Sequence, residues 1–273
     1  MTRVEQAFAA AEAEGRATFV AYLTAFDPDA DRSLALLRAA AEAGADVLEV
    51  GVPFSDPTAD GPAIQAAMAR ARAAGATLPR VLDLVARLRA HTSVPCVLFS
   101  YANPLLRLGE TLAPRLADAG IDAVLALDVP VFDVPAVFGA RAAADLAWVG
   151  LCGPRTPDAR ARAIARRAGG FVYQIARTGV TGAGGGRDGD LARRVAVLRA
   201  AGPRPVAVGF GVRRREDAAA VAAIADGVVV GSHLVQRAAA AFAAGEDGAA
   251  AVAGAVADLR AGLSRPPARS RRA

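Results

Sequence analysis

Eight short runs of β-branched and other apolar residues recur along the chain, each followed by a loop and then an Ala/Leu/Arg segment with helical spacing. The runs are Thr18–Thr24, Asp46–Gly51, Pro95–Tyr101, Ala123–Leu127, Ala147–Leu151, Phe171–Ala176, Pro205–Gly209 and Gly227–Val230. Most are almost continuously apolar, the pattern of a strand covered on both faces by other layers. Between them lie segments with helical periodicity, such as Asp31–Ala43, Thr77–Ala90, Pro157–Ala168, Leu191–Ala201 and Glu216–Ala225. Several end in glycine, as at Gly44, Gly120 and Gly202, where the left-handed helix stop favours that residue. Eight strands alternating with helices predict an α/β protein, a single (β/α)8 TIM barrel. A doubly wound open sheet competes, but no dinucleotide glycine fingerprint follows the first strand. The 273 residues suit one such domain, and no linker divides them. Residues 1–263 are expected to form the barrel with an N-terminal helix, and 264–273 a basic, disordered tail.

All 32 basic residues are arginine. Without lysine the chain has no Schiff-base mechanism, no covalent anchor for pyridoxal phosphate and no P-loop lysine. Two histidines, His91 and His233, argue against a His-rich metal centre, and no cofactor or metal is expected. The formal charge of +5 invites a nucleic-acid reading, but four arginines without an acid sit in Ser264–Ala273; removing them leaves a body at +1. A nearly neutral body is not a duplex-binding surface. Arg213-Arg214-Arg215 reads as the exposed start of a helix, or as a source of positive potential near an anion site. The sequence shows neither a membrane-length apolar run nor a signal-peptide pattern, and Cys96 and Cys152 lie in apolar runs. A cytoplasmic protein is expected, with no membrane or nucleic-acid partner.

In such a barrel the chemistry lies at the C-terminal ends of the strands. Glu49 sits inside an apolar strand and shares a face with Val47 and Gly51, pointing into the lumen if Leu48 and Val50 face the helices. A buried carboxyl has a raised pKa and is a candidate general acid/base; a glutamate bonded to backbone is the plainer alternative. Asp56 and Asp60 follow in a Pro/Gly-punctuated loop, where aspartates also serve as turn formers. Gly209-Phe210-Gly211 after the seventh strand and Gly231-Ser232 after the eighth let backbone N–H groups approach an anion, in loops where barrels commonly hold phosphate. The glycine-rich stretch 177–186 reads as a lid over substrate or as a plain surface loop.

These residues carry a resemblance. The words Pro53-Phe54-Ser55-Asp56-Pro57, Ala59-Asp60-Gly61-Pro62 with Gln65, Tyr101-Ala102-Asn103-Pro104, Asp128-Val129-Pro130, Phe171-Val172-Tyr173, Gly179-Val180-Thr181-Gly182, Gly209-Phe210-Gly211 and Gly231-Ser232 stand in the order found in tryptophan synthase α subunits. The chain resembles that family over nearly its whole length. The resemblance implies cleavage of indole-3-glycerol phosphate to indole and glyceraldehyde 3-phosphate, without a cofactor. It implies Glu49 as acid/base and Asp60 as the anchor of the indole N–H. Phosphate would lie on Gly182, Gly211, Gly231 and Ser232, with Tyr173 and Thr181 shaping the site. Tyr22, Phe99, Leu127, Leu151 and Phe210 would line the indole slot, with Tyr101 among the substrate-binding residues. It further implies a β-subunit partner in an α2β2 assembly.

Retro-aldol cleavage needs an electron sink, and with lysine excluded the substrate must carry it: an indole protonated at C3 accepts the bonding pair. This chemistry predicts opposed pKa shifts, with Glu49 protonated and Asp60 ionised. The chain departs from the family pattern at Phe26 (usually glycine), Thr58, Leu127, Ala176 and His233. Two other readings fit the residues: a stand-alone indole-releasing lyase, and a weakly active subunit that mainly activates a β partner.

Overall fold

The structure, a computed structural model, describes residues 1–176, 188–209 and 211–264. All eight expected strands are present: β1 (Thr18–Thr24), β2 (Val47–Gly51), β3 (Cys96–Ser100), β4 (Ala123–Ala126), β5 (Gly150–Cys152), β6 (Val172–Ile175), β7 (Val206–Gly209) and β8 (Gly227–Val230). They pair in parallel in the order β4-β3-β2-β1-β8-β7-β6-β5. The seam between β4 and β5 is joined by Val124 N–H to the Ala147 carbonyl and Val149 N–H to the Val124 carbonyl, each 2.8 Å. This seam accounts for the one clear boundary difference: Ala147–Val149, expected as strand, serve as the bridge, and β5 begins at Gly150. The result is a (β/α)8 barrel.

Among the described residues the helices are α1 (Arg3–Ala13) before the sheet, α2 (Ala30–Glu42) after β1, and α3 (Pro62–Ala73) and α4 (Leu78–Arg89) after β2. Then come α5 (Ala102–Leu106) and α6 (Leu112–Asp118) after β3, α7 (Val134–Asp145) after β4 and α8 (Asp158–Arg167) after β5. The last four are α9 (Asp188–Ala201), α10 (Arg215–Ala222), α11 (Ser232–Ala243) and α12 (Gly248–Arg260). The α4 segment shows why such stretches fold as helices. Thr77 caps its first turn, and Leu78, Val81, Leu82, Val85 and Leu88 are buried at helical spacing. No helix among the described residues is long and apolar enough to cross a membrane.

The strands alternate between two apolar layers. Leu48, Val50, Leu98, Val172, Val208 and Val228 pack outward against the helices. Val47, Val97, Phe99, Leu125, Phe171 and Val229 fill the lumen. This double burial is the cause of the continuous apolar runs in the sequence. Helix α1 closes the N-terminal mouth, placing Val4 and Phe8 in the lumen cluster, with Phe8 5.5 Å from the ring of Phe171.

The same mouth carries a repeated device. Asp46, Asp122 and Asp226 each precede a strand and accept an N–H from the first or second residue of the preceding strand, at Phe19 (2.7 Å), Cys96 (2.8 Å) and Val206 (2.8 Å). Each is held by an arginine: Arg16 on Asp46, Arg89 on Asp122 and Arg199 on Asp226. Charge-assisted bonds of this kind pin the rim opposite the functional end.

Candidate active site

Glu49 lies where its spacing placed it. Leu48 and Val50 belong to the outer layer, so Glu49 faces the lumen, 0% exposed. Neither carboxyl oxygen has a hydrogen-bond partner among the described residues. Burial alone pushes its pKa up to about 8. Among the described residues nothing bonds Glu49 to backbone, and burial favours its neutral acid form.

Asp60 reaches the same region from the loop after β2. A turn sets it, with its N–H on the Pro57 carbonyl at 3.1 Å and its own carbonyl held by the Gln65 amide at 2.8 Å. Its Oδ2 accepts the Tyr101 hydroxyl at 2.7 Å, and that hydroxyl accepts the Ala59 N–H at 3.0 Å. Phe54 stacks on the Tyr101 ring, centroids 4.9 Å apart. Asp60 Oδ1 has no partner among the described residues. Burial raises the Asp60 pKa, and the Tyr101 bond acts against the rise. The expected opposition of shifts is therefore corrected: both carboxyls move up, because both are desolvated. What separates them is the hydrogen bond that Asp60 has and Glu49 lacks. Asp56 is exposed, and its carbonyl accepts the Thr58 N–H in a tight turn.

Two tyrosines lean into the lumen in the same way. Tyr22 pairs in register with Glu49, and its hydroxyl lies over Gly51, where a Cβ would stand 2.2 Å from it. Tyr173 on β6 lies over Gly209 at the end of β7, where the corresponding distance is 2.1 Å. Only glycine admits so close an approach. Tyr22 also packs edge-on against Phe99 at 4.9 Å, and its ring abuts Gly231. Leu127 and Leu151 are half-buried against this cluster. The ring-lining candidates Tyr22, Phe99, Leu127 and Leu151 thus share one cluster with Tyr101 and Tyr173.

At the anion end, Gly211 has φ +86°, a conformation that requires glycine, and open space around it. Gly231 caps α11, and no side chain satisfies its first turn. The N–H groups of that turn, at Ser232 and after it, form a ready anion site. His233 is half-buried beside Arg213, Arg237 and Asp258; burial and the two arginines hold its pKa below the usual value. Arg213 and Arg214 are exposed and lead into α10, as the arginine run suggested. Thr181, Gly182 and Phe210, the lid stretch and the tail from Arg265 lie outside the described residues.

A 1010 Å³ groove opens beside the loop that carries Asp60, lined by Phe54, Pro104, Leu106, Arg72, Arg107 and Arg115 among others. Leu106 is 45% exposed. Sequence reasoning missed the Tyr101–Asp60 bond, the stacking of Phe54 and the two glycine seats; an inward glycine two residues past Glu49 was the available signal for one of them.

A parallel barrel with a buried acid that has no partner among the described residues, a tethered second carboxyl and an uncapped helix end at its C-terminal mouth suits acid/base chemistry. The model of the tryptophan synthase alpha chain family matches residues 8–263. The chain is 44% identical to the tryptophan synthase alpha chain of Burkholderia pseudomallei over 98% of this chain and 100% of that one. It is 45% identical to the alpha chain of Geobacter sulfurreducens over 86% and 90% of the two chains. Its fold superposes on the crystal structure of tryptophan synthase subunit alpha from Legionella pneumophila with a TM-score of 0.86, at 30% identity, covering 96% and 98% of the two chains. It superposes on a chain of tryptophan synthase from M. tuberculosis with 0.84, at 31% identity, covering 96% and 100%. The chain belongs to the tryptophan synthase alpha chain family, and is a carbon–carbon lyase.

Proposed function

We propose that Glu49 and Asp60 together cleave indole-3-glycerol phosphate into indole and glyceraldehyde 3-phosphate, in a protein that works as the α subunit of tryptophan synthase. One observation carries the assignment: among the described residues a wholly buried carboxyl has no partner for either oxygen, and a second carboxyl, with one oxygen free, acts on the same two lumen phenols. Glu49, kept protonated by burial, gives its proton to C3 of the indole. Asp60 Oδ1 accepts the ring N–H and balances the positive charge that forms. The Glu49 carboxylate then takes the proton of the hydroxyl on the carbon attached to C3. The bonding pair moves into the ring, indole leaves, the side chain becomes an aldehyde, and Glu49 is protonated again. General acid catalysis by a positioned group contributes about 10²–10⁴-fold.

The wall of the indole slot falls to Tyr22, Phe99, Leu127, Leu151 and Phe210, with Tyr101 and Tyr173 beside it. The phosphate falls to Gly182, Gly211, Gly231 and Ser232, with Thr181 in the covering loop. The β subunit is the proposed partner, seated on the groove beside Leu106; an exposed apolar side chain within an arginine rim suits a surface carrying apolar and acidic groups. We take residues 1–263 as the catalytic barrel and 264–273 as an appended tail. A reducing cytoplasm suits the two free, buried cysteines.

The test is indole release from indole-3-glycerol phosphate by the purified chain, with and without a tryptophan synthase β subunit. Slow release that accelerates with the β subunit is expected. No release in either condition would overturn the reaction; full speed alone, unchanged by the β subunit, would overturn the subunit role.

A further inference from the structure

When Glu49 gives up its proton it becomes a carboxylate 0% exposed, for which neither oxygen has a donor among the described residues. A bare buried carboxylate is costly, and hydrogen-bond donors are what lower that cost. The nearby phenols differ in what they have to offer. The Tyr101 hydroxyl is committed to Asp60 at 2.7 Å. The Tyr22 hydroxyl has one long contact, 3.3 Å to Thr24 Oγ1. The Tyr173 hydroxyl has no hydrogen bond among the described residues.

We propose that Tyr22 and Tyr173 are positioning residues for Glu49, their hydroxyls together receiving the carboxylate it forms on delivering its proton. The inference rests on the reading of Glu49 as the acid. Three observations carry it. Tyr22 and Glu49 are register partners on adjacent strands, on the same inward face. Each phenol is seated over a strand-end glycine, Gly51 or Gly209, so both rings are fixed by the backbone of the neighbouring strand. The two hydroxyls lie within electrostatic reach of Glu49, of Asp60 and of each other, and Glu49 is the foremost charge acting on Tyr173.

In the structure the acid form of Glu49 stands apart from both hydroxyls; on ionisation its side chain turns to meet them. No proton passes through the phenols. Burial and the two carboxylates hold both well above the usual tyrosine range, so they remain donors throughout. Among the described residues the titratable groups that Glu49 acts on are Tyr22 from β1 and Tyr173 from β6, and Asp60 from the loop after β2 acts on both phenols; burial is the sole cause of the raised Glu49 pKa.

Tyr22→Phe and Tyr173→Phe keep the rings over their glycines and remove only the donors. The experiment is the pH dependence of kcat for indole release in the full chain with its β subunit, for each variant, the double variant and Glu49→Gln. Loss of a bond to a charged group predicts about a tenfold fall in kcat and an alkaline midpoint about one unit higher in each single variant, with a larger shift in the double. Midpoints that stay in place or move down, whatever happens to kcat, would overturn the proposal. An active Glu49→Gln would instead overturn the acid assignment beneath it.

Discussion

The Tyr22 hydroxyl occupies the space in which a side chain at Gly51 would begin: a Cβ on Gly51 stands 2.2 Å from that oxygen and 2.6 Å from the ring carbon bearing it. The strand that carries the acid thus ends in glycine because the neighbouring strand's phenol lies across it. Gly51→Ala is expected to displace the ring from Phe99 and Gly231, lowering stability by about 1–3 kcal/mol and indole release at least tenfold. Combined with Tyr22→Leu, the alanine meets no ring, so the double variant should be less destabilised than the two single changes predict together. Chemical denaturation of the four proteins of this cycle measures the coupling; simple additivity would contradict the steric account.

The two carboxyls predict a bell-shaped profile of kcat/KM. Cleavage needs Glu49 protonated, so the alkaline limb falls as pH rises through a pKa that burial places at about 8. It also needs Asp60 ionised, so the acid limb falls as pH drops through a value above the usual aspartate range. Tyr101→Phe removes the bond that holds Asp60 down and should move the acid limb to higher pH, leaving the alkaline limb in place. An unmoved acid limb would contradict the role given to that bond.

Glu49 also makes stability depend on pH. Its carboxyl is protonated in the folded chain and ionised in the unfolded one between the ordinary glutamate value of 4.5 and about 8. Folding therefore loses free energy as pH rises through that interval, by at most on the order of 5 kcal/mol. Glu49→Gln should match the parent chain near pH 4 and exceed it in stability at pH 9. Denaturation at the two pH values checks this; a variant equally stable relative to its parent at both would contradict the burial.

Phe26 has φ +65°, the left-handed region, and is 3% exposed beneath the Arg80 guanidinium, 5.0 Å from its ring. Glycine, usual in the family at this position, would relieve about 1–2 kcal/mol of backbone strain, but loss of the buried ring costs about 3–5 kcal/mol. Phe26→Gly is expected to destabilise the chain by about 2 kcal/mol; a stabilised variant would show that strain outweighs packing here.

The barrel was legible because both layers write themselves into the strands: Leu48 and Val50 outward, Val47 and Glu49 inward. A single charge inside such a run has only one place to point, which is why Glu49 could be found from spacing. Asp60 was found through its motif, whereas its tether, Tyr101, lies 41 residues away and nothing local announces the bond. The phenols over Gly51 and Gly209 depend on how side chains lean between strands, which alternation does not encode. The expected opposition of pKa shifts failed because desolvation acts on Asp60 as it does on Glu49, and only the geometry reveals the bond that sets them apart. The common task of Asp46, Asp122 and Asp226 emerges only once the strands are paired.

The most direct test of the central claim is a comparison of Glu49→Gln with the parent chain, measuring indole formation from indole-3-glycerol phosphate and, separately, the affinity for that substrate. The account predicts that the amide, which keeps the size of the side chain and loses its proton chemistry, binds substrate with little change and forms no indole above the uncatalysed rate. Turnover at the parental rate would show that another group protonates the ring, and the assignment of Glu49 would fall.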